Sequence, residues 1–144
     1  MKDVHNKNRI NGVKEVMARI LIADDNQKFV KNIRRLLETD ARISIIGEAN
    51  TGREAITLAL ELKPNIILLD IQMPEVNGLQ VTSVLKGNMP DLKVIIVTLF
   101  DLDEYSRLAK ESGADSLILK KNIYRGLIPE IYGLMGFEDA EKLS

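Results

Sequence analysis

Asn65-Ile66-Ile67-Leu68-Leu69-Asp70-Ile71-Gln72-Met73-Pro74-Glu75-Val76-Asn77-Gly78 is the stretch whose reading decides the fold. Ile66 to Leu69 form an unbroken apolar run between Pro64 and the Met-Pro turn. A run of that length without alternation predicts a strand buried on both faces, as in the middle of a parallel sheet. It ends in Asp70. In open α/β sheets ligands bind at the carboxyl ends of the strands. Asp70 is therefore either a cap for the loop that follows or a reactive group at the mouth of a sheet.

Outward from this strand the pattern repeats. Ile20 to Ala23 predicts a first strand, ending in Asp24 and Asp25. Phe29, Val30, Ile33, Leu36 and Leu37 then fall on one helical face. Ile43 to Ile46 predicts the second strand. Thr51 and Glu54 fit a capping box for a helix that stops before Pro64. Asn77 is placed to cap a third helix through Val81, Val84 and Leu85. Val94 to Val97 is the fourth strand and ends in Thr98. Asp103 is read as the cap of a fourth helix, stopped by Gly113. Leu117 to Leu119 is the fifth strand and ends in Lys120. A last helix lies within residues 123–136. Gly126, Pro129 and Gly133 are poor helix-interior residues, so it is expected to begin near Arg125 or later, or to kink at Pro129. Five strands alternating with helices predict a doubly wound parallel sheet with helices on both faces and right-handed crossovers.

Composition fits one domain. The chain has 144 residues, a formal net charge of -1 and no cysteine. Disulfides, thiolate zinc sites and thiol nucleophiles are excluded. Near-neutral charge gives no reason to expect nucleic acid or an anionic membrane as a partner of the domain itself. No apolar run approaches a membrane span, and Met1 to Val16 lack a signal-peptide core, so the simplest compartment is the cytoplasm. Residues 1–16 read as a flexible N-terminal arm, 17–137 as the domain and 138–144 as a tail.

The strand ends read together are more telling than any one alone. An Asp pair before a helix is ordinarily an N-cap. A strand Thr is ordinarily there for β-propensity. In a parallel sheet, however, Asp24, Asp25, Asp70, Thr98 and Lys120 all reach one rim. Crowded carboxylates are relieved by a hard cation such as Mg²⁺, which takes oxygen ligands and keeps waters. A carboxylate beside such a metal can accept a phosphoryl group while a lysine neutralises charge on the transferred oxygens. The Thr98 hydroxyl can donate to a phosphate oxygen.

Ile-Leu-Ile-Ala-Asp-Asp at 20–25, Leu-Leu-Asp-Ile-Gln-Met-Pro at 68–74 with Gly78, Val-Thr at 97–98 and Gly-Ala-Asp-Ser-Leu-Ile-Leu-Lys at 113–120 occur in this order. As a set they resemble the receiver domain of bacterial two-component response regulators, over about residues 17–136. Gly-Glu-Ala-Asn-Thr-Gly-Arg-Glu-Ala at 47–55 is most similar to receivers of the LuxR/nitrate-regulator type, which often precede a DNA-binding helix-turn-helix; no such domain follows in this sequence. The resemblance implies a flavodoxin-like five-stranded sheet in the order 2-1-3-4-5. It implies Asp70 as phosphoacceptor, Asp25 as direct Mg²⁺ ligand, Asp24 assisting through water and the backbone carbonyl of Gln72 completing the protein ligands. Thr98 and Lys120 would bind the phosphoryl group. A sensor histidine kinase would supply it, and the domain would catalyse only its own phosphorylation and slow hydrolysis.

Three positions depart from the family pattern. Leu99 stands where a small residue usually leaves room at the phosphate. Leu117 stands where an aromatic often swings inward on activation. Lys121 stands where many members have a cis proline, so strain or a changed loop is expected there. Leu99 and Leu117 keep a non-phosphorylated interaction module open as an alternative. A phosphatase of the haloacid-dehalogenase type needs two aspartates spaced by one residue, whereas Asp24 and Asp25 are adjacent. A flavin-binding domain would need a phosphate-cradling loop after the first strand, and none follows. The surplus of apolar residues in the last helix suggests a partner surface, such as a second copy docked on the face of the fourth helix, fifth strand and fifth helix. The alternative is a frayed end.

Overall fold

Alternating strands and helices build the chain as the apolar runs demand. The computed structural model describes residues 9–10, 13–14 and 16–138. The strands are β1 (Ala18–Ala23), β2 (Ile43–Ala49), β3 (Ile66–Asp70), β4 (Lys93–Thr98) and β5 (Ser116–Leu119). The helices between and after them are α1 (Gln27–Leu37), α2 (Gly52–Leu62), α3 (Gly78–Asn88), α4 (Asp103–Ser112) and α5 (Ile123–Met135). The sheet is parallel throughout, in the order β2-β1-β3-β4-β5, the flavodoxin-like order. Arg9–Ile10 and Val13–Lys14 pair as a short antiparallel ladder. The rest of the expected arm up to Glu15, and the tail from residue 139, lie outside the described residues.

Alternation along the strands sorts side chains onto two faces. Ile20, Ile22, Ile66, Leu68, Ile95 and Val97 pack with α1 and α5 residues such as Ile33, Leu37, Leu127 and Ile131. Leu21, Ala23, Ile67, Leu69, Val94 and Ile96 pack with Ala55, Ala59, Val81, Leu85 and Ala109 of α2, α3 and α4. Fully burying each large side chain contributes about 1.5–3 kcal/mol. Every residue of β3 is buried, which explains its unbroken apolar sequence.

Several local expectations need correction. The second strand runs on to Ala49, three residues past Ile46. Helix α4 is capped at Leu102 with no side-chain bond; Asp103 lies instead in its first turn, where negative charge suits the helix dipole. Thr51 accepts from Glu54 N at 3.1 Å, but the Glu54 carboxylate takes the Asn50 N–H, one residue beyond the box. Helix α3 carries the complete box, between Asn77 and Gln80. Helix α5 starts at Ile123 and continues through Pro129, entered from a 3-10 turn over Lys120–Asn122. No cis peptide bond occurs among the described residues, so that turn is the changed loop expected at Lys121.

The apolar surplus of α5 is mostly absorbed. Ile123, Leu127 and Ile131 are buried, and Ile128, Leu134, Met135 and Phe137 pack against the same core; Tyr124 stays exposed. The Tyr132 hydroxyl donates to Asp40 Oδ2 at 2.6 Å, and the Arg42 guanidinium lies 3.6 Å from the Phe137 ring centroid. These contacts tie the end of α5 to the α1–β2 loop. Tyr132→Phe is expected to lower unfolding free energy by about 1–2 kcal/mol, as the loss of a hydrogen bond to a charged group predicts. Urea denaturation checks this, and an unchanged midpoint would show that the Tyr132–Asp40 hydrogen bond contributes nothing.

Candidate functional site

The loops after β1, β3 and β4 and the turn after β5 meet at one end of the sheet. Each is shaped by its own backbone bonds. Asp24 Oδ1 accepts from Asn26 N at 2.8 Å, and Asn26, rather than either aspartate, caps α1 through Phe29 N. Asp70 Oδ1 accepts from Gln72 N at 3.2 Å. Gly78 N donates to Ile71 O at 2.8 Å and closes the β3–α3 loop. Thr98 Oγ1 accepts from Phe100 N at 3.2 Å, which leaves its own proton free to be donated.

These bonds bring together all the rim residues that the sequence singled out. Asp24, Asp70 and Thr98 are buried and Asp25 is exposed. The three aspartates each offer an oxygen within 4.8 Å of the others. Lys120 Nζ lies 3.0 Å from Asp24 Oδ2 and 3.7 Å from Asp70 Oδ2. The shorter contact is a charge pairing only, since buried Asp24 Oδ2 accepts no hydrogen bond. Asp25, Asn26, Asp70, Gln72, Thr98, Leu99 and Lys120 line an open cleft of about 310 Å³. Leu99 is 67% exposed, so it edges the cleft rather than filling it. Leu117 is half-buried against the α2–α3–α4 core.

Burial pushes the Asp70 carboxyl up to about 6, with the Asp24 charge acting the same way and Asp25 adding to it. Lys120 and the Gln72 N–H pull in the opposite direction without cancelling the rise. Three crowded carboxylates, each offering a hard oxygen to the same point, fit a hard divalent cation.

The family model for the response regulator receiver domain matches residues 20–131. The chain belongs to the response regulator receiver domain family. Among curated proteins, this receiver is 38% identical over 102 residues to the response regulator protein VraR of Staphylococcus epidermidis, an alignment covering 71% of the chain and 49% of the relative. The chain thus spans about half the length of the curated relatives it matches. Among solved structures, a LuxR-family two-component response regulator from Aurantimonas sp. superposes with a TM-score of 0.79 at 26% identity, covering 85% of this chain and 88% of that one. A LuxR-family DNA-binding response regulator from Staphylococcus aureus gives 0.77 at 28%, covering 82% and 98%. These matches agree with the LuxR-type resemblance of the receiver's sequence.

Two contributors to the receiver site escape a sequence reading. Phe29 counts as one apolar position of α1, yet its ring centroid lies 4.2 Å from Lys120 Nζ. Nothing in the spacing links two residues so far apart. Asn26 was legible as a cap-forming residue type, but the adjacent aspartates masked it.

Proposed function

We propose that Asp70 accepts a phosphoryl group from a sensor histidine kinase in a Mg²⁺-dependent reaction, and that the resulting change is relayed to a partner or effector. The observation that carries this reading is a buried carboxyl at the end of the central strand, 3.7 Å from a lysine ammonium and grouped with two further aspartates. Family membership supports it.

Asp70 is the nucleophile. One carboxylate oxygen attacks phosphorus in line with the departing atom. With a phosphoramidate donor, the P–N bond breaks as the P–O bond forms. The imidazole nitrogen keeps the electron pair and takes up a proton. Asp24, Asp25, Asp70 and the Gln72 backbone carbonyl would hold Mg²⁺, which when bound neutralises charge on the phosphoryl oxygens. The Lys120 ammonium and the Thr98 hydroxyl are near enough to the cleft to take the remaining phosphoryl oxygens as they move onto Asp70. The Gln72 N–H already holds Asp70 Oδ1, fixing the orientation of the carboxylate. On this reading the domain carries out only its own phosphorylation and slow hydrolysis. Output falls to an effector. The DNA-binding character named for the S. aureus relative makes a DNA-binding effector the first to assay.

Incubation with an acyl phosphate and Mg²⁺ is expected to add one phosphoryl mass to the wild type and none to Asp70→Asn. Equal gain by the variant would overturn the assignment.

A further inference from the structure

Lys120 is gripped from two sides. Asp24 Oδ2 lies 3.0 Å from its ammonium, and on α1 the Phe29 ring centroid lies 4.2 Å away. The side chain of Lys120 is only 11% exposed, so little water competes with either contact. Asp70 Oδ2 is 3.7 Å away, within Coulomb reach but outside hydrogen-bond distance. The ammonium therefore does not tie up the lone pairs of the acceptor.

We infer that Phe29 is a positioning residue for phosphoryl transfer: its ring face holds the Lys120 ammonium poised beside Asp70. The inference rests on Asp70 being the phosphoacceptor and adds a residue to that chemistry. An aromatic face attracts a cation through its quadrupole, and the attraction is strongest where water is excluded. It accepts no conventional hydrogen bond, so the ammonium keeps its N–H donors for oxygen. A carboxylate in place of the ring would hold the lysine more tightly but would compete with the incoming phosphoryl group. An aliphatic side chain would leave the ammonium free to hydrate or to swing onto Asp70. Phe29 also touches the core between α1, α5 and the sheet, so a purely structural role is the rival explanation.

Ring fluorination separates the two. Replacing Phe29 by mono-, di- and trifluorophenylalanine withdraws charge from the ring face with little change of shape and no loss of apolar character. The rate of acyl-phosphate-driven labelling of Asp70, read by intact mass with saturating Mg²⁺, is expected to fall stepwise along this series. Phe29→Leu, which removes the ring altogether, is expected to lower the rate about 3- to 30-fold. Melting temperatures taken alongside are expected to stay level across the fluorinated proteins. Fluorinated proteins that label at the wild-type rate, in a wild type that does label, would overturn the role of Phe29 and leave Asp70 as acceptor. A rate that tracks melting temperature instead of ring charge would also overturn it. A wild type that takes up no phosphate would bring down both readings.

Discussion

Gly78→Ala is expected to destabilise the domain by about 2–4 kcal/mol, while Gly87→Ala in the same helix is expected to stabilise it by about 0.5–1 kcal/mol. The two substitutions add the same methyl group to α3. At Gly78 the new Cβ would lie 2.3 Å from the Asp70 carbonyl oxygen and 2.9 Å from Ile71 Cα. Those atoms end the central strand, whose residues are all buried. They cannot recede without shifting β3 against β1 and β4. Gly78 cannot retreat either. Its N–H holds Ile71 O, and its carbonyl takes the Thr82 hydroxyl at 2.8 Å. At Gly87 nothing lies within 4 Å of the added carbon, so only the helix-propensity gain remains. On the role proposed for Asp70, displacing its carboxylate by about 1 Å would also cut its labelling on the order of 100-fold. Urea midpoints for the two proteins should move in opposite directions. Two shifts of the same sign would show that the close approach beneath Asp70 is not what requires glycine.

The central strand and the rim were legible because their causes are local. Ile66 to Leu69 could only be buried on both faces, and a parallel sheet then sends every strand end to one side. Asp24, Asp25, Asp70, Thr98 and Lys120 follow from that geometry without any knowledge of contacts. The start of α5 was placed too late because a proline inside a helix costs about 3 kcal/mol by itself. Ile123, Leu127 and Ile131 recur at i, i+4 and i+8 and are all but completely buried, and each contributes about 1.5–3 kcal/mol. Their sum exceeds the proline cost, so α5 forms from Ile123 onward. The grip of Phe29 on Lys120 and the tie between Tyr132 and Asp40 depend on where helices sit over the sheet. Periodicity records which face of α1 turns inward but not which side chain it meets there.

Metal-free wild type is expected to be less stable than Asp70→Asn at pH 7.5, by about 2–3 kcal/mol, with the gap closing as pH falls. The folded state raises the Asp70 carboxyl from 3.8 to about 6. A group raised in this way binds its proton more tightly when folded. Its stabilising contribution is fully present below 3.8 and is lost as pH rises through about 6. Above that, the folded protein must hold a buried carboxylate beside Asp24, and Lys120 offsets only part of the cost. Asparagine has no charge to bury, and its side-chain oxygen can still accept the Gln72 N–H. Acid also acts on the rest of the protein, and those losses are common to both proteins. The difference between wild type and variant cancels those shared losses and isolates Asp70. Unfolding free energies at pH 4.5, 6 and 7.5 in a chelating buffer give that difference directly. Millimolar Mg²⁺ at pH 7.5 should then raise the wild type more than the variant, because a ligand stabilises the state that binds it. A gap that stays constant between pH 4.5 and 7.5 would mean that Asp70 is not held against its charge. Equal stabilisation of both proteins by Mg²⁺ would mean that Asp70 contributes nothing to holding the metal.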